Sequence, residues 1–386
     1  MSGLGVAVIG AGVAGLACAV TLERLGIETV VYEQGDRPGQ AFAHVGAVMP
    51  VVHRPFNCLL YELQSSFGFE LKPLALIQRI RMYGPTVSRE ITGSDLGFTL
   101  EVSRAPESVT GQLARLYRGP LVLNTRADYF TLRDRFDYVV VAAGNREIPA
   151  MLGVWQDWLR AWVVGAQVLG DFDPGTINMW LDHDCAGNGY GYMIPFNERL
   201  ASLSLVVIGV RRAAAFTRWK DFLKTRRLGY PMVYQWDIEH IAGYVYPCQV
   251  NNTLFVGISG GFMDALLGYS IFSSLFTGVL AARAIAGGEP FPRAVAPLQR
   301  TMLDSFSLRR ALDRMENDDL DRLVAALALP GVRDVVCHSR LNVLGAAAAG
   351  LEWYRRGKAR LRPGPAFEFE TPGKARRHRA WRGRGH

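Results

Sequence analysis

The sequence lacks several features that would assign its class at once. Its five cysteines are widely spaced and include no Cys-x-x-Cys pair, so neither a disulfide framework nor a zinc site is predicted. Outside the N-terminal segment no run reaches about 18 uncharged apolar residues, so no membrane-spanning helix is predicted. No internal repeat is evident. The 386 residues, 49% of them hydrophobic, predict a globular protein with more than one core.

The apolar segment near the N-terminus is not predicted to be a signal peptide. No basic residue precedes the apolar run, and a glycine turn interrupts it. Cysteines without a disulfide pattern suit a reducing compartment, so the cytoplasm is the expected location.

Residues 6–34, VAVIGAGVAGLACAVTLERLGIETVVYEQ, predict a strand, a glycine turn, a helix and a second strand. Gly10 permits the tight turn, Gly12 lets a pyrophosphate approach the backbone, and Gly15 lets the helix pack closely on the strand. Free N–H groups at the helix start then bind the phosphates. Glu33 ends the second strand, where its carboxylate accepts hydrogen bonds from a ribose 2′-OH and repels the 2′-phosphate of NADP.

Only this segment has the full context of a dinucleotide-binding site. The glycines of AAGNRE at 142–147 and GNGYGY at 187–192 lack the strand before and the helix after them. A single permanently held dinucleotide fits a flavoprotein that holds FAD and receives electrons from a transient donor, either NAD(P)H or a ferredoxin-type protein. An NAD-dependent dehydrogenase would follow its motif with a compact six-stranded sheet, whereas this chain interrupts it.

Later segments indicate that the nucleotide fold is discontinuous. DYVVVAAG at 137–144 predicts a buried strand that ends in a small-residue turn, and 254–288 predict a strand, a glycine-rich turn and a long helix. Between them, residues 162–210 alternate in polarity and are separated by turn residues, which predicts an antiparallel sheet. We therefore expect an α/β fold in which a discontinuous Rossmann-like FAD-binding domain with a parallel sheet receives an antiparallel-sheet substrate domain and is followed by a small C-terminal helical region. The predicted boundaries are 1–47, 105–155 and 245–288 for the FAD-binding domain, 48–104 and 156–244 for the substrate-binding domain, 289–354 for the helical region and 355–386 for a basic tail.

The tail concentrates the positive charge of the chain. Residues 355–386 contain 11 Lys and Arg against 2 acidic residues, while the whole chain has a net charge of +8. This segment is rich in Gly and Pro and has no periodicity, which predicts disorder. It is either simply solvated or attracted to an anionic membrane surface, with Trp381 at the interface. Nucleic acid is disfavoured as a partner because the folded part contains no basic recognition element.

The motif order identifies a resemblance to a known superfamily. GAGVAGLACAVTLERLGIETVVYE at 10–33, VVVAAG at 139–144 and FVGISGG at 255–261 together resemble the FAD-dependent p-hydroxybenzoate hydroxylase superfamily. Within it, the chain is most similar to the geranylgeranyl reductase family. That similarity depends on GNGYGYMIP at 187–195, which resembles the family's substrate-cavity signature P-x-x-Y-x-W-x-F-P.

The match to that signature is partial. Tyr190 and Pro195 agree with it, whereas Gly187, Tyr192 and Ile194 replace its Pro, Trp and Phe. The resemblance implies that these aromatic side chains line a tunnel for an isoprenoid chain. The residues by themselves equally fit an ordinary amphipathic strand with one apolar face.

Three positions depart from the superfamily pattern. Ser259 lies in a motif that usually has an Asp at the FAD ribityl chain, so a neutral hydrogen bond to the cofactor is expected there. Ala143 stands where many members have the Asp of an Asp-Gly pair, which leaves nicotinamide docking without that carboxylate. His44 begins His-Val-Gly in place of a Cys-x-Gly turn close to the flavin, and a histidine titrating near neutral pH is a candidate proton donor.

These motifs define the predicted site. No metal is required. The predicted catalytic residues are His44, Tyr190 and Tyr192. The predicted cofactor-binding residues are Gly10, Gly12, Ala14, Gly15, Glu33, Gln34, Arg37, Ala143, Gly144, Gly257, Ser259 and Gly261.

The resemblance implies that reduced flavin delivers hydride to a C=C bond of an isoprenoid or polyene lipid. An apolar substrate agrees with Phe262, Met263, Leu266 and Leu267, and with the absence of any Arg within 228–282. Two alternatives remain open: an aromatic-ring monooxygenase of the same superfamily, and a non-redox flavin-binding protein or lycopene-cyclase-like enzyme.

Overall fold

The computed structural model describes residues 4–53, 58–94, 96–332, 335, 345–347 and 350. No helix within these residues is long and apolar enough to cross a membrane. The strands are β1 (Gly5–Ile9), β2 (Glu28–Tyr32), β3 (His44–Val48), β4 (Ala75–Leu76), β5 (Arg79–Tyr83), β6 (Ser88–Thr92), β7 (Phe98–Val102), β8 (Leu121–Val122), β9 (Tyr138–Val141), β10 (Trp155–Leu169), β11 (Thr176–Trp180), β12 (Tyr190–Pro195), β13 (Leu200–Ile208), β14 (Met232–Val245), β15 (Gln249–Val250) and β16 (Thr253–Phe255). The helices are α1 (Val13–Arg24), α2 (Leu59–Ser65), α3 (Val109–Ala114), α4 (Tyr129–Arg135), α5 (Glu147–Met151), α6 (His183–Ala186), α7 (Arg212–Thr225), α8 (Ile271–Ile285), α9 (Phe291–Leu312) and α10 (Asn317–Leu327).

A six-stranded sheet forms the predicted Rossmann-like domain. Its strand order is β15-β16-β9-β1-β2-β8, and every pair is parallel except β15 with β16. The central strands are apolar and buried, as expected for a parallel sheet covered on both faces. Helices α1 and α8 pack together on one face, where a Cβ on Gly278 would lie 2.3 Å from the carbonyl oxygen of Ala14. The fold class predicted from the sequence is thus confirmed.

The predicted antiparallel sheet is also confirmed, and it has seven strands in the order β14-β10-β13-β12-β11-β5-β6. All neighbours are antiparallel except β11 with β5. Helix α7, which the sequence did not predict, buries Trp219 and Phe222 against one face. Strand β10 begins at Trp155 and β14 ends at Val245, so both cross the predicted domain boundaries by one residue.

A third sheet, β3-β7-β4, was not predicted. Strand β3 crosses the expected boundary at 47/48 because its pairing with β7 is continuous from His44 to Val48. It also packs beside the start of α8, where a Cβ on Gly46 would lie 2.5 Å from Cδ1 of Ile271. This strand therefore brings His44 and Gly46 between the two larger sheets.

Helices α9 and α10 confirm the helical character of the C-terminal region within the described residues. Each buries one apolar face, with Val295 and Met302 on α9 and Leu320 and Val324 on α10. The predicted basic tail at 355–386 lies outside the described residues.

Candidate active site

The site begins at the turn between β1 and α1. Gly10 has φ +105°, a backbone conformation that favours glycine, and a Cβ on Gly15 would lie 1.9 Å from the Gly10 carbonyl oxygen. Gly12 is the N-cap of α1, and a Cβ there would meet no atom within 4 Å. The turn therefore leaves open space directly in front of a helix N-terminus, which is the arrangement a pyrophosphate requires.

Glu33 lies beside this turn. Its Oε2 accepts a hydrogen bond from the Ala11 N–H at 2.9 Å, and its Oε1 accepts one from the Gly35 N–H at 2.8 Å. Parallel pairing of β2 with β1 fixes this position, since Tyr32 is in register with Ile9. The carboxylate is thus held where a ribose attached to the pyrophosphate would reach it.

One large cavity, of about 1000 Å³, extends from this turn into the space between the sheets. Its volume lies at the upper end of the usual range for ligand sites. The predicted cofactor-binding residues that line it are Gly10, Gly12, Ala14, Glu33, Gln34, Ala143 and Gly144.

A segment that sequence reasoning missed also lines this end of the cavity. Residues 125–130 follow strand β8, and the carboxyl end of β8 lies at the same sheet edge as the glycine turn. Within the segment, Arg126 forms an ion pair with Glu147 at 2.9 Å. Ligands bind at the carboxyl edge of open parallel sheets. The place of this segment directly after β8 could therefore have indicated a ligand-binding role, even though the strand has only two residues.

Two predicted cofactor contacts are placed elsewhere by the structure. Ser259 is fully buried, and its hydroxyl donates to the Asn145 carbonyl at 2.8 Å, while the neighbouring Ile258 lines the cavity. Ser259 is not among the described lining residues, and its hydrogen bond to the cofactor stays a prediction. Arg37 is an exposed side chain 3.6 Å from the carboxylate of Asp36, and it is not among the described lining residues.

The other predicted glycines shape the backbone next to the cavity. Gly257 and Gly261 both have positive φ, at +57° and +76°; Gly257 begins the short 3₁₀ turn Gly257–Gly260, and Gly261 follows it. The Gly257 N–H donates to the hydroxyl of Thr277 on α8 at 3.0 Å. These glycines and Gly15 shape the backbone next to the cavity and do not themselves belong to its described lining.

The far wall of the cavity is apolar and aromatic. Tyr190, Tyr192 and Ile194 alternate along β12 and share the face that lines the cavity. The two tyrosine rings lie 5.9 Å apart between centroids. Burial raises the pKa of Tyr190, so its hydroxyl keeps its proton, which it donates to the Leu267 carbonyl.

Asp264 holds the loop that faces these tyrosines. Its carboxylate accepts hydrogen bonds from the N–H groups of Leu266 at 3.2 Å and Leu267 at 2.7 Å, and from the hydroxyl of Ser305. Burial raises the pKa of this carboxyl group. Asp264 therefore stabilises the loop whose Leu266 and Leu267 side chains line the cavity.

His44 lines the cavity from strand β3 and not from a turn. Burial, with a smaller contribution from His240, lowers its pKa to about 3. The expectation that His44 titrates near neutral pH is therefore wrong, because the buried imidazole is neutral there. His240 and Trp236 of β14, which no sequence motif indicated, also line the cavity.

Comparison with known proteins agrees with this geometry. Residues 5–107 match the protein-family model described as FAD dependent oxidoreductase. No curated protein sequence matches the chain.

Several solved structures share the fold. A geranylgeranyl bacteriochlorophyll reductase-like protein from Thermoplasma acidophilum has 14% identity and a TM-score of 0.68, covering 89% of this chain and 94% of its own. A flavin-dependent brominase has 15% identity and a TM-score of 0.64, with coverages of 91% and 99%. A tetracycline destructase has 13% identity and a TM-score of 0.57, with coverages of 88% and 99%. Residues 5–107 are therefore similar to FAD-dependent oxidoreductases, and the chain has a fold that proteins of more than one activity share.

Proposed function

We propose that this protein is an FAD-dependent enzyme that reduces a C=C bond of a long apolar substrate, an isoprenoid or polyene lipid. The observation that supports this most strongly is the continuity of one cavity from the dinucleotide turn at Gly12 to the apolar wall at Tyr190. A cofactor held at one end and a hydrocarbon held at the other would share a single space.

The residues present fit FAD. Gly12 leaves the helix N-terminus open, Glu33 stands beside it as a ribose acceptor, and Gly144 has φ +71° with no atom within 4 Å of an added Cβ. When bound, FAD would supply a hydride to one carbon of the double bond, and the other carbon would take up a proton that originates from solvent.

The tyrosines of β12 provide the aromatic surface for the substrate. Their rings form two faces of the wall, and such faces stabilise positive charge by about 0.5–2 kcal/mol. The Tyr190 hydroxyl remains bound to Leu267 and so orients its ring. Apolar neighbours, among them Ile194 and Met263, line the same space.

His44 acts in this proposal as a neutral hydrogen-bonding group. Its lowered pKa leaves too little imidazolium at neutral pH for it to act as a charged proton donor. The electron donor is proposed to be NAD(P)H or a ferredoxin-type protein that docks transiently. The basic tail is proposed to bring the enzyme to an anionic membrane surface from the cytoplasm, where an apolar substrate would be found.

The test is to reduce the purified, FAD-loaded protein with a chemical reductant and to identify the product formed from each candidate substrate. Anaerobic saturation of a double bond in a polyene lipid is the expected result. Hydroxylation of an aromatic acid in air would instead assign a monooxygenase, and a flavin inert to every donor and acceptor would assign a non-redox role.

A further inference from the structure

Helix α7 and the residues beside it concentrate positive charge on the antiparallel-sheet side of the molecule. Residues 211–227 contain seven Arg and Lys and a single acidic residue. Trp219 and Phe222 bury one face of the helix against the sheet. Lys220 and Lys224 are exposed and four residues apart, so they lie together on the face turned away from the sheet.

Some of these cations are used within the fold. Arg212 forms an ion pair with Asp237 of β14 at 2.7 Å. Arg226 pairs with Asp182, and Arg218 donates to a backbone carbonyl. The other four are exposed and form no ion pair within the described part of the chain: Arg211, Lys220, Lys224 and Arg227. The fold therefore fixes the helix with some of its cations and leaves the rest without a counter-charge.

Exposed apolar side chains lie where the chain enters strand β14. Met232, Val233 and Tyr234 are 40%, 58% and 49% exposed. Met232 is in register with Val168 of β10, which belongs to the same apolar cluster as Trp219 of α7. The start of β14 therefore lies beside α7 on the same face of the sheet. Because β14 is the edge strand of the described sheet, no further strand of that sheet covers these side chains.

The combination of positive charge and apolar surface selects the occupant. A second copy of this face would bring like charges together, and so would the basic tail at 355–386. A nucleic acid would meet the cations, but it offers no apolar interior to the aliphatic side chains of Met232 and Val233. An anionic bilayer offers phosphate groups at its surface and hydrocarbon directly beneath them.

We propose that α7 and the start of β14 form a membrane-contact surface for anionic lipid. Lys220 and Lys224 contact the lipid headgroups, and Met232 and Val233 enter the boundary between headgroups and acyl chains. This inference rests on the proposed function only in taking a membrane as the partner. It places a contact in the folded part of the chain, separate from the basic tail.

The test measures co-sedimentation of the full-length, FAD-loaded protein at low salt with phosphatidylcholine vesicles that contain about 30% phosphatidylserine. Each basic residue near an anionic surface changes partitioning by about fivefold, so Lys220→Gln/Lys224→Gln should bind about 10- to 30-fold more weakly than the wild type. Met232→Ser/Val233→Ser should bind about 5- to 10-fold more weakly because less apolar surface leaves water. With phosphatidylcholine alone, the lysine change should have little effect.

Matched variants control for charge and for apolar surface in general. Lys72→Gln/Arg118→Gln removes the same charge from exposed positions near α3, and Tyr61→Ser removes a 67% exposed side chain from α2. Both should bind vesicles as the wild type does. All substituted side chains are exposed, so the Tm and the FAD bound per protein should be unchanged throughout.

The outcomes separate this inference from the proposed function. Wild-type binding by both the lysine and the apolar variants would overturn the surface and leave the proposed reaction and the role of the tail intact. A lysine effect without an apolar effect would overturn the insertion of Met232 and Val233. If the lysine variant lost affinity for an RNA or DNA oligonucleotide but not for vesicles, the surface would belong to nucleic acid. Failure of the wild type to bind vesicles would contradict the proposed membrane association as well, whereas product analysis tests the reaction independently.

Discussion

Tyr190 donates its phenol hydroxyl to the backbone carbonyl of Leu267, and this hydrogen bond joins strand β12 to the loop that precedes helix α8. Within the same loop, the carboxylate of Asp264 accepts a hydrogen bond from the Leu267 N–H at 2.7 Å. Segments far apart in the sequence thus form one wall of the cavity. The position of the Tyr190 ring is consequently coupled to the backbone next to the FAD-binding domain.

This coupling predicts different effects of two substitutions at Tyr190. Tyr190→Phe loses the hydrogen bond and keeps the ring, so the free energy of unfolding should fall by about 0.5–1.5 kcal/mol with turnover nearly preserved. Tyr190→Ala removes the aromatic face, so turnover should fall by about tenfold or more while bound FAD per protein is unchanged. Urea denaturation measures the free energy of unfolding, a steady-state assay measures turnover, and flavin absorbance measures the FAD bound per protein. Equal losses of turnover in the two variants would contradict a role for the ring.

The glycine turn predicts a second contrast. A Cβ at Gly12 meets no atom within 4 Å, whereas a Cβ at Gly15 would lie 1.9 Å from the Gly10 carbonyl oxygen. Gly12→Val should therefore fold normally and lose FAD because its side chain occupies the space for the pyrophosphate. Gly15→Val should instead lower the Tm because strand and helix must separate. Stoichiometric FAD in folded Gly12→Val protein would show that the cofactor binds elsewhere.

His44 predicts a dependence of stability on pH. Its pKa in the folded chain is about 3, against an ordinary 6.5, because burial disfavours the charged ring. Between these values the unfolded chain binds a proton that the folded chain does not, so the free energy of unfolding decreases as pH falls from about 6.5 towards 3. Above this window His44 contributes no slope.

The measurement is urea denaturation of the wild type and His44→Leu at several pH values from 4.5 to 8. The variant should reduce the slope by up to about 1.4 kcal/mol per pH unit. His53, whose pKa burial also lowers to about 3, should contribute independently, so His53→Leu is a second test of the same physics. Parallel pH profiles in all three proteins would show that these rings are not desolvated.

The basic tail predicts salt-dependent adsorption to membranes. Deletion of residues 355–386 removes 11 Lys and Arg and only 2 acidic residues, so binding to anionic vesicles should weaken and FAD content should not change. The difference from the full chain should diminish as salt is raised, because exposed charges are screened. Equal sedimentation of both proteins with vesicles at low salt would show that the tail is only solvated.

The sequence predicted those elements whose local residue pattern specifies the same structure that their packing requires. The turn at Gly10 and the acid at Glu33 were predictable because strand, helix and ribose acceptor follow one another within a single βαβ unit. Tyr190 and Tyr192 were predictable as one face of a strand because side chains alternate with a period of two. Both results required no knowledge of distant segments.

The remaining features depend on tertiary contacts. Strand β4 is only two residues long, too short for a pattern, and the third sheet exists because β7 pairs with it and with β3. The neutrality of His44 follows from burial by β14, which no local motif encodes. Ser259 replaces the usual Asp of a cofactor motif, and its hydroxyl donates to the carbonyl of Asn145, more than a hundred residues earlier in the chain.

The central feature of the proposed function is one cavity that brings a bound flavin and an apolar substrate together. Its most direct test is anaerobic reoxidation of the chemically reduced, FAD-loaded protein by a stoichiometric polyene lipid alcohol. We expect the absorbance of oxidised flavin to return while the lipid gains two hydrogens, and Tyr190→Ala to slow this return by about tenfold. A flavin that stays reduced in the presence of every isoprenoid and polyene lipid, but hydroxylates an aromatic acid when air is admitted, would contradict the account.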